Sequence, residues 1–121
     1  MWEIVGTEEF ADWYRSLDLA QCGAIDARVD MLEADGPALG RPVVDSIKGS
    51  RHHNMKELRC SKDGALRILF AFDPIRQAVL LLGGDKADRS AWSAWYLTAI
   101  PHADDLYDAY LTELRDEGLL P

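Results

Sequence analysis

Apolar positions along the chain change period twice. Residues 2–5 (Trp-Glu-Ile-Val) read as a short strand, after which Thr7 offers an N-cap and Glu8 and Glu9 put acid in a first helical turn. Phe10, Trp13, Tyr14 and Leu17 follow at i, i+3, i+4 and i+7, which is one apolar helical stripe. A second helix starting near Asp18 carries Cys22, Ile25, Val29 and Leu32 and stops at Gly36-Pro37. These two helices form a hairpin, and their stripes read as core. Residues 36–42, with two glycines and two prolines, form a loop.

Beyond that loop the period falls to two. Val43–Ile47, Met55–Ser61, Ala65–Asp73 and Gln77–Gly83 are strand candidates, joined at Lys62-Asp63-Gly64 and Asp73-Pro74-Ile75-Arg76 by turn-forming residues, so they make an antiparallel meander. Val79-Leu80-Leu81-Leu82 is apolar on both parities and expects cover on both faces. Leu66, Ile68, Phe70 and Phe72 share a face that Arg67 does not. A closing helix is expected to open at Asp104 and Asp105, to turn Leu106, Tyr107, Tyr110, Leu111 and Leu114 inward, and to end at Gly118 after Arg115. The expectation is one α+β domain over residues 1–121.

Composition narrows the class. At 121 residues and 48% hydrophobic, the chain can bury a core without disulfides or a structural metal. No apolar run approaches the roughly 18 residues of a membrane span, and Met1-Trp2-Glu3 does not begin a leader, so a cytoplasmic location is expected. Cys22 and Cys60 lack metal-ligand spacing and read as reduced, buried thiols. The net charge of −8 is unevenly spread: residues 1–40 carry −7, residues 41–89 carry +4 and residues 90–121 carry −5. An acidic chain is a poor nucleic-acid ligand on average, but the central block supplies a local cationic zone.

That block is Gly49-Ser50-Arg51-His52-His53-Asn54-Met55-Lys56-Glu57-Leu58-Arg59, followed by Arg67 and by Gly83-Gly84-Asp85-Lys86. Strand alternation sets Glu57 and Arg59 on one face and Lys56, Leu58 and Cys60 on the other. With the helices on the Leu58 side, Glu57, Arg59 and Arg67 meet on the outward face, with Lys86 nearby. Two guanidiniums suit a phosphorane dianion, and the carboxylate can take a proton from a ribose 2′-hydroxyl. The same pattern also fits a surface salt-bridge ladder, and adjacent histidines in a polar loop are commonly just exposed. Gly83-Gly84-Asp85-Lys86 lacks the rest of a triphosphate-binding loop, and no metal-ligand pattern occurs.

Gly49 to Arg59, Arg67-x-Leu69-Phe70-Ala71-Phe72-Asp73-Pro74-x-Arg76, Leu82-x-Gly84-Asp85-Lys86 and Trp95-Tyr96 resemble the HigB-type, phage-derived branch of the RelE/ParE toxin superfamily. The resemblance runs from about Met1 to Gly118. It implies a RelE-like β-α-α-β-meander, with a helical hairpin packed on a twisted antiparallel sheet and a C-terminal helix. It further implies a type II toxin that cleaves mRNA without metal or cofactor, often on the ribosome but also free of it, and is held by a helix-turn-helix antitoxin. Glu57, Arg59, Arg67, Lys86 and Tyr96 are the catalytic set so implied; Arg51, His52, His53, Lys56, Arg76 and Trp95 are the RNA contacts. Glu57 matches a position that is Lys in some relatives, and relatives with an acidic base and an imidazole acid pair Glu57 with His52 or His53. Two departures are the acidic net charge and a longer closing helix. The rivals are a ParE-like inhibitor of DNA gyrase, which hydrolyses nothing, and a non-toxic partner-binding module on the same fold.

Overall fold

A computed structural model of the chain describes residues 1–60, 66–85 and 92–120. Strand β1 (Glu3–Gly6) leads into helix α1 (Glu8–Arg15) and helix α2 (Leu19–Asp35). Strands β2 (Val44–Ser46), β3 (Met55–Cys60), β4 (Leu66–Phe72) and β5 (Gln77–Asp85) follow, then helix α3 (Trp92–Asp116). The five strands lie in the order β1-β5-β4-β3-β2. The expected meander is present from β2 to β5, and β1 joins its far side parallel to β5. The expected turn at Lys62-Asp63-Gly64 lies outside the described residues.

Local chemistry fixes the hairpin. Thr7 Oγ1 accepts from Phe10 N at 3.0 Å, capping α1, and donates to Leu81 O at 2.6 Å, tying the cap to β5. Asp18 and Gln21 form a reciprocal capping box at the start of α2, with bonds of 2.8 and 3.0 Å. The helix ends at Gly36, whose φ of +54° favours glycine and where a Cβ would come within 2.4 Å of the Trp2 ring.

The sheet is covered on both faces. On one, Leu58, Cys60, Leu66, Ile68, Phe70 and Leu80 pack against Ile25 and Leu32 of α2 and the Phe10 and Trp13 rings of α1. On the other, Met55, Leu69, Ala71, Val79 and Leu81 meet Ala99, Ala103 and Tyr107 of α3. Val79 to Leu81 are thus buried from both sides, as their parity predicts. Cys60 sits in the hairpin core, where burial pushes its thiol up to about 11; half-buried Cys22 is also unbonded to another cysteine.

Two expectations need correction. The closing helix begins at Trp92, a full three turns before Asp104, and runs through Pro101. An interior proline costs about 3 kcal/mol, but Ala99, Ala103 and Tyr107 at i, i+4 and i+8 seat that stretch on the sheet. Asp104, read as the acid of a first turn, is instead buried mid-helix and bonds to the loop before β3. The longer helix also covers the face assigned to solvent, so Glu57 does not point outward: it is 3% exposed.

Candidate active site

β3 and β4 pair antiparallel with Arg59 directly opposite Arg67 and Glu57 opposite Leu69. Parity then brings Glu57, Arg59 and Arg67 together on the α3 face, where like charges across the ladder are tolerable only with a carboxylate between them. Glu57 provides it. Its Oε2 accepts from Arg59 Nε at 3.1 Å, and its Oε1 lies 3.6 Å from Arg67 Nε and accepts a short bond from the Tyr96 hydroxyl of α3. Arg67 also donates to Leu66 O at 3.1 Å. Burial, helped by the bond to Glu57, raises the Tyr96 phenol well above its usual range, which keeps it a protonated donor.

Neither the composition nor the motifs pointed to Asp45 on β2. It sits directly opposite Glu57 in the ladder, a repulsive placement that Arg59 bridges by donating to Asp45 Oδ2 at 3.0 Å. Arg41 donates to the same oxygen at 3.0 Å and, with Ser46 N, holds the Asp45 carboxyl below the usual carboxylate range. The result is a relay of alternating charge: Arg41, Asp45, Arg59, Glu57, Arg67. The signal that finds Asp45 is strand register, which cannot be read from residue types alone.

Trp95 flanks the cluster. Register places Gly84 of β5 opposite Arg67, and the Trp95 indole lies on Gly84 so closely that a Cβ there would stand 2.4 Å from it. Trp13 lies on Gly83 from the hairpin side, with a corresponding separation of 2.1 Å. The glycine pair considered as a phosphate loop is therefore strand, and small because two indoles press on it. Lys86, the cation expected next, lies outside the described residues.

The remaining expected contacts lie elsewhere. Arg51 donates to Asp105 at 2.9 Å and Asp108 at 2.5 Å, while His52 Nε2 lies 2.7 Å from Asp108 and its ring meets Tyr107 edge-on. Ser50 Oγ and Arg51 N bind the buried Asp104 carboxylate at 2.5 and 2.9 Å. This strap pins the loop to α3. His53 is exposed beside it. Lys56 projects from the opposite parity, 3.4 Å from Ser46 Oγ, and Arg76, in the β4–β5 turn with φ of +65°, stacks on Trp2. Glu57, Arg59, Arg67, Tyr96 and Trp95 are thus brought together; Arg51, His52, His53, Lys56 and Arg76 are not.

A helical hairpin and a closing helix on opposite faces of this sheet define a RelE-like fold. Among solved structures, it matches the archaeal RelE–RelB complex from Pyrococcus horikoshii with TM-score 0.59 and 15% identity, covering 72% of this chain and 97% of that one. The RelBE2 toxin–antitoxin complex of Mycobacterium tuberculosis matches with TM-score 0.55 and 14% identity, covering 70% and 98%. Residues 12–108 match the family described as phage-derived protein Gp49-like. The chain belongs to that family, in the HigB-type branch of the RelE superfamily. Two Mycobacterium tuberculosis proteins described as putative toxins are similar: HigB2, 45% identical over 90% of this chain, and HigB3, 50% identical over 88%. The chain spans 54% of the length of HigB2 and 90% of that of HigB3. Among the described residues no helix is long and apolar enough to cross a membrane.

Proposed function

We propose that the chain is the cytoplasmic toxin of a type II toxin–antitoxin system, an endoribonuclease that cleaves ribosome-bound mRNA without a metal. The observation that carries this reading is a buried carboxylate, Glu57, held among Arg59, Arg67 and the Tyr96 hydroxyl. Productive binding exchanges the Tyr96–Glu57 bond for contacts with the ribose and scissile phosphate. Glu57 takes the 2′-hydroxyl proton as O2′ bonds to phosphorus, and Arg67 stabilises the dianion that forms. The P–O5′ bond then breaks, with O5′ protonated from Tyr96, which Glu57 reprotonates. The products are a 2′,3′-cyclic phosphate and a 5′-hydroxyl.

His52 is the less suitable acid, because its ring is engaged with Asp108 outside the cluster. The family and the toxin–antitoxin assemblies among its structural neighbours support an antitoxin as partner. Induced expression is expected to arrest growth and to yield mRNA fragments with cyclic or 3′-phosphate ends. Intact transcripts alongside trapped gyrase–DNA complexes would overturn this in favour of a gyrase inhibitor.

A further inference from the structure

The relay that runs through Glu57 has an outer end, and exposure rises steadily toward it. The Arg67 side chain is 12% exposed, that of Arg59 31% and that of Arg41 77%. Strand β2, which carries Asp45, is a border strand of the sheet, and Arg41 lies in the turn just before it. Trp95 on Gly84 and Tyr96 on Glu57 wall the inner end on the α3 side. The described part of the relay therefore reaches solvent at Arg41, across β2.

This outer end is more than a surface ion pair, which by itself contributes little at such exposure. Arg41 and Arg59 donate, each through Nη2 at 3.0 Å, to the same atom, Asp45 Oδ2, so one carboxylate oxygen sets two guanidinium forks side by side. Among the described residues Arg41 uses Nη2 alone, from a fork with five N–H donors, and its other donors suit a second oxyanion. Glu57 then supplies a direction. Its Oε1 faces Arg67 and Tyr96, where the proposed reaction puts the phosphorus and the departing O5′, whereas its Oε2 faces Arg59. Attack is in line, so O2′ and O5′ lie on opposite sides of the phosphorus. The ribose that carries O2′ is thus on the Arg59 side, and its own 5′-phosphate continues toward Arg41.

We propose that Arg41, together with Arg59, binds the phosphate on the 5′ side of the nucleotide that supplies the 2′-hydroxyl, so that the RNA leaves the site over β2 with its 5′ end outward. The inference rests on the nuclease reading for the position of the scissile phosphate. That neighbouring phosphate carries the same charge before and during the reaction, so Arg41 contributes equally to the ground state and the transition state. It is a binding residue that touches no reacting atom, and its loss belongs in KM.

The test maps the wild-type cut on ribosomes programmed with a synthetic mRNA, then replaces the phosphate 5′ of the nucleotide ending at that cut with an uncharged methylphosphonate. Wild type should lose about tenfold in kcat/KM on the modified mRNA, carried by KM. Arg41→Ala should show the same loss on the unmodified mRNA, and the two changes together should cost no more than about twofold beyond either alone. The modified mRNA needs no protein variant, so misfolding cannot imitate its effect. A residue that only held Asp45 would instead lower kcat when removed, and one that met a phosphate of ribosomal RNA would give losses that multiply with those of the methylphosphonate. Either result, or wild-type indifference to the methylphosphonate, overturns the subsite and leaves the nuclease reading standing. Failure of wild type to cleave any ribosome-bound or free mRNA removes that reading, and the subsite with it.

Discussion

Two ion-pair clusters stand on the same face of the molecule and differ in what they hold together: side chains of neighbouring strands in one, a loop and a helix in the other. Among the described residues, Glu57 and Asp45 bind Arg41, Arg59 and Arg67 in one cluster. In the strap, Arg51 and His52 face Asp104, Asp105 and Asp108. The first joins strands β2, β3 and β4 around a buried carboxylate, whereas the second fixes a loop to α3. Charge type alone made all of these residues look alike; burial separates them, the Arg67 side chain being 12% exposed and that of Arg51 53%.

The largest expected effect comes from the more deeply buried guanidinium. Arg67→Ala should lose at least about a hundredfold in cleavage, consistent with removing a donor worth roughly 2–4 kcal/mol in the transition state. Arg51→Ala should change the single-turnover rate by no more than about threefold. Equal losses in two folded variants would erase the distinction between the clusters.

Stability should show the converse. Asp104→Ala removes a buried acceptor of bonds from Ser50 Oγ and Arg51 N and should cost about 2–3 kcal/mol in urea denaturation. Its cleavage rate per folded molecule should match wild type. A variant with wild-type stability would show that the strap holds nothing.

Asp45→Asn should act in between, because Asp45 positions Arg59 and touches no reacting atom. Freed from Asp45, Arg59 can pair more fully with Glu57 and weaken it as a base; we expect a fall of about tenfold in kcat, or about 1.4 kcal/mol, with KM little changed. Combined with Arg59→Ala, the substitution should add nothing further. Additive losses would make the two independent.

The smallest effect is a pH dependence of the strap. Arg51, and then His52, hold the Asp108 carboxyl below its ordinary range. A depressed folded value means the stabilisation is present above the unfolded value, about 4, and is lost as pH falls through the folded one. Amides of residues 50–54 should therefore exchange faster, relative to the sheet, on acidification below about pH 4. The step should be absent in Asp108→Asn; its persistence there would assign it to another carboxylate.

Much of the fold is legible because its signals are local. Thr7 caps the helix it was expected to cap, α2 starts where expected, at Asp18, and the period-two strands pair as a meander. The start of α3 was hidden because Asp104 and Asp105 imitate a first turn, while Pro101 masks the helix preceding them. Burial of Ala99 and Ala103 is a tertiary fact that overrides that local signal. In the site, alternation alone aligned Glu57, Arg59 and Arg67. Placing Asp45 and Tyr96 against them required β2 register and the path of α3, both set by long-range packing.

Gly83 and Gly84 have a consequence for how the molecule can vary. Between them they admit Trp13 from one layer and Trp95 from the other, so a single dipeptide sets the phase of both. A slip of β5 by one residue would present each indole with the wrong neighbour, and any side chain at either position would meet a ring. The dipeptide works as a keyway shared by two keys. Redesign of either helical layer must keep it or replace both tryptophans together.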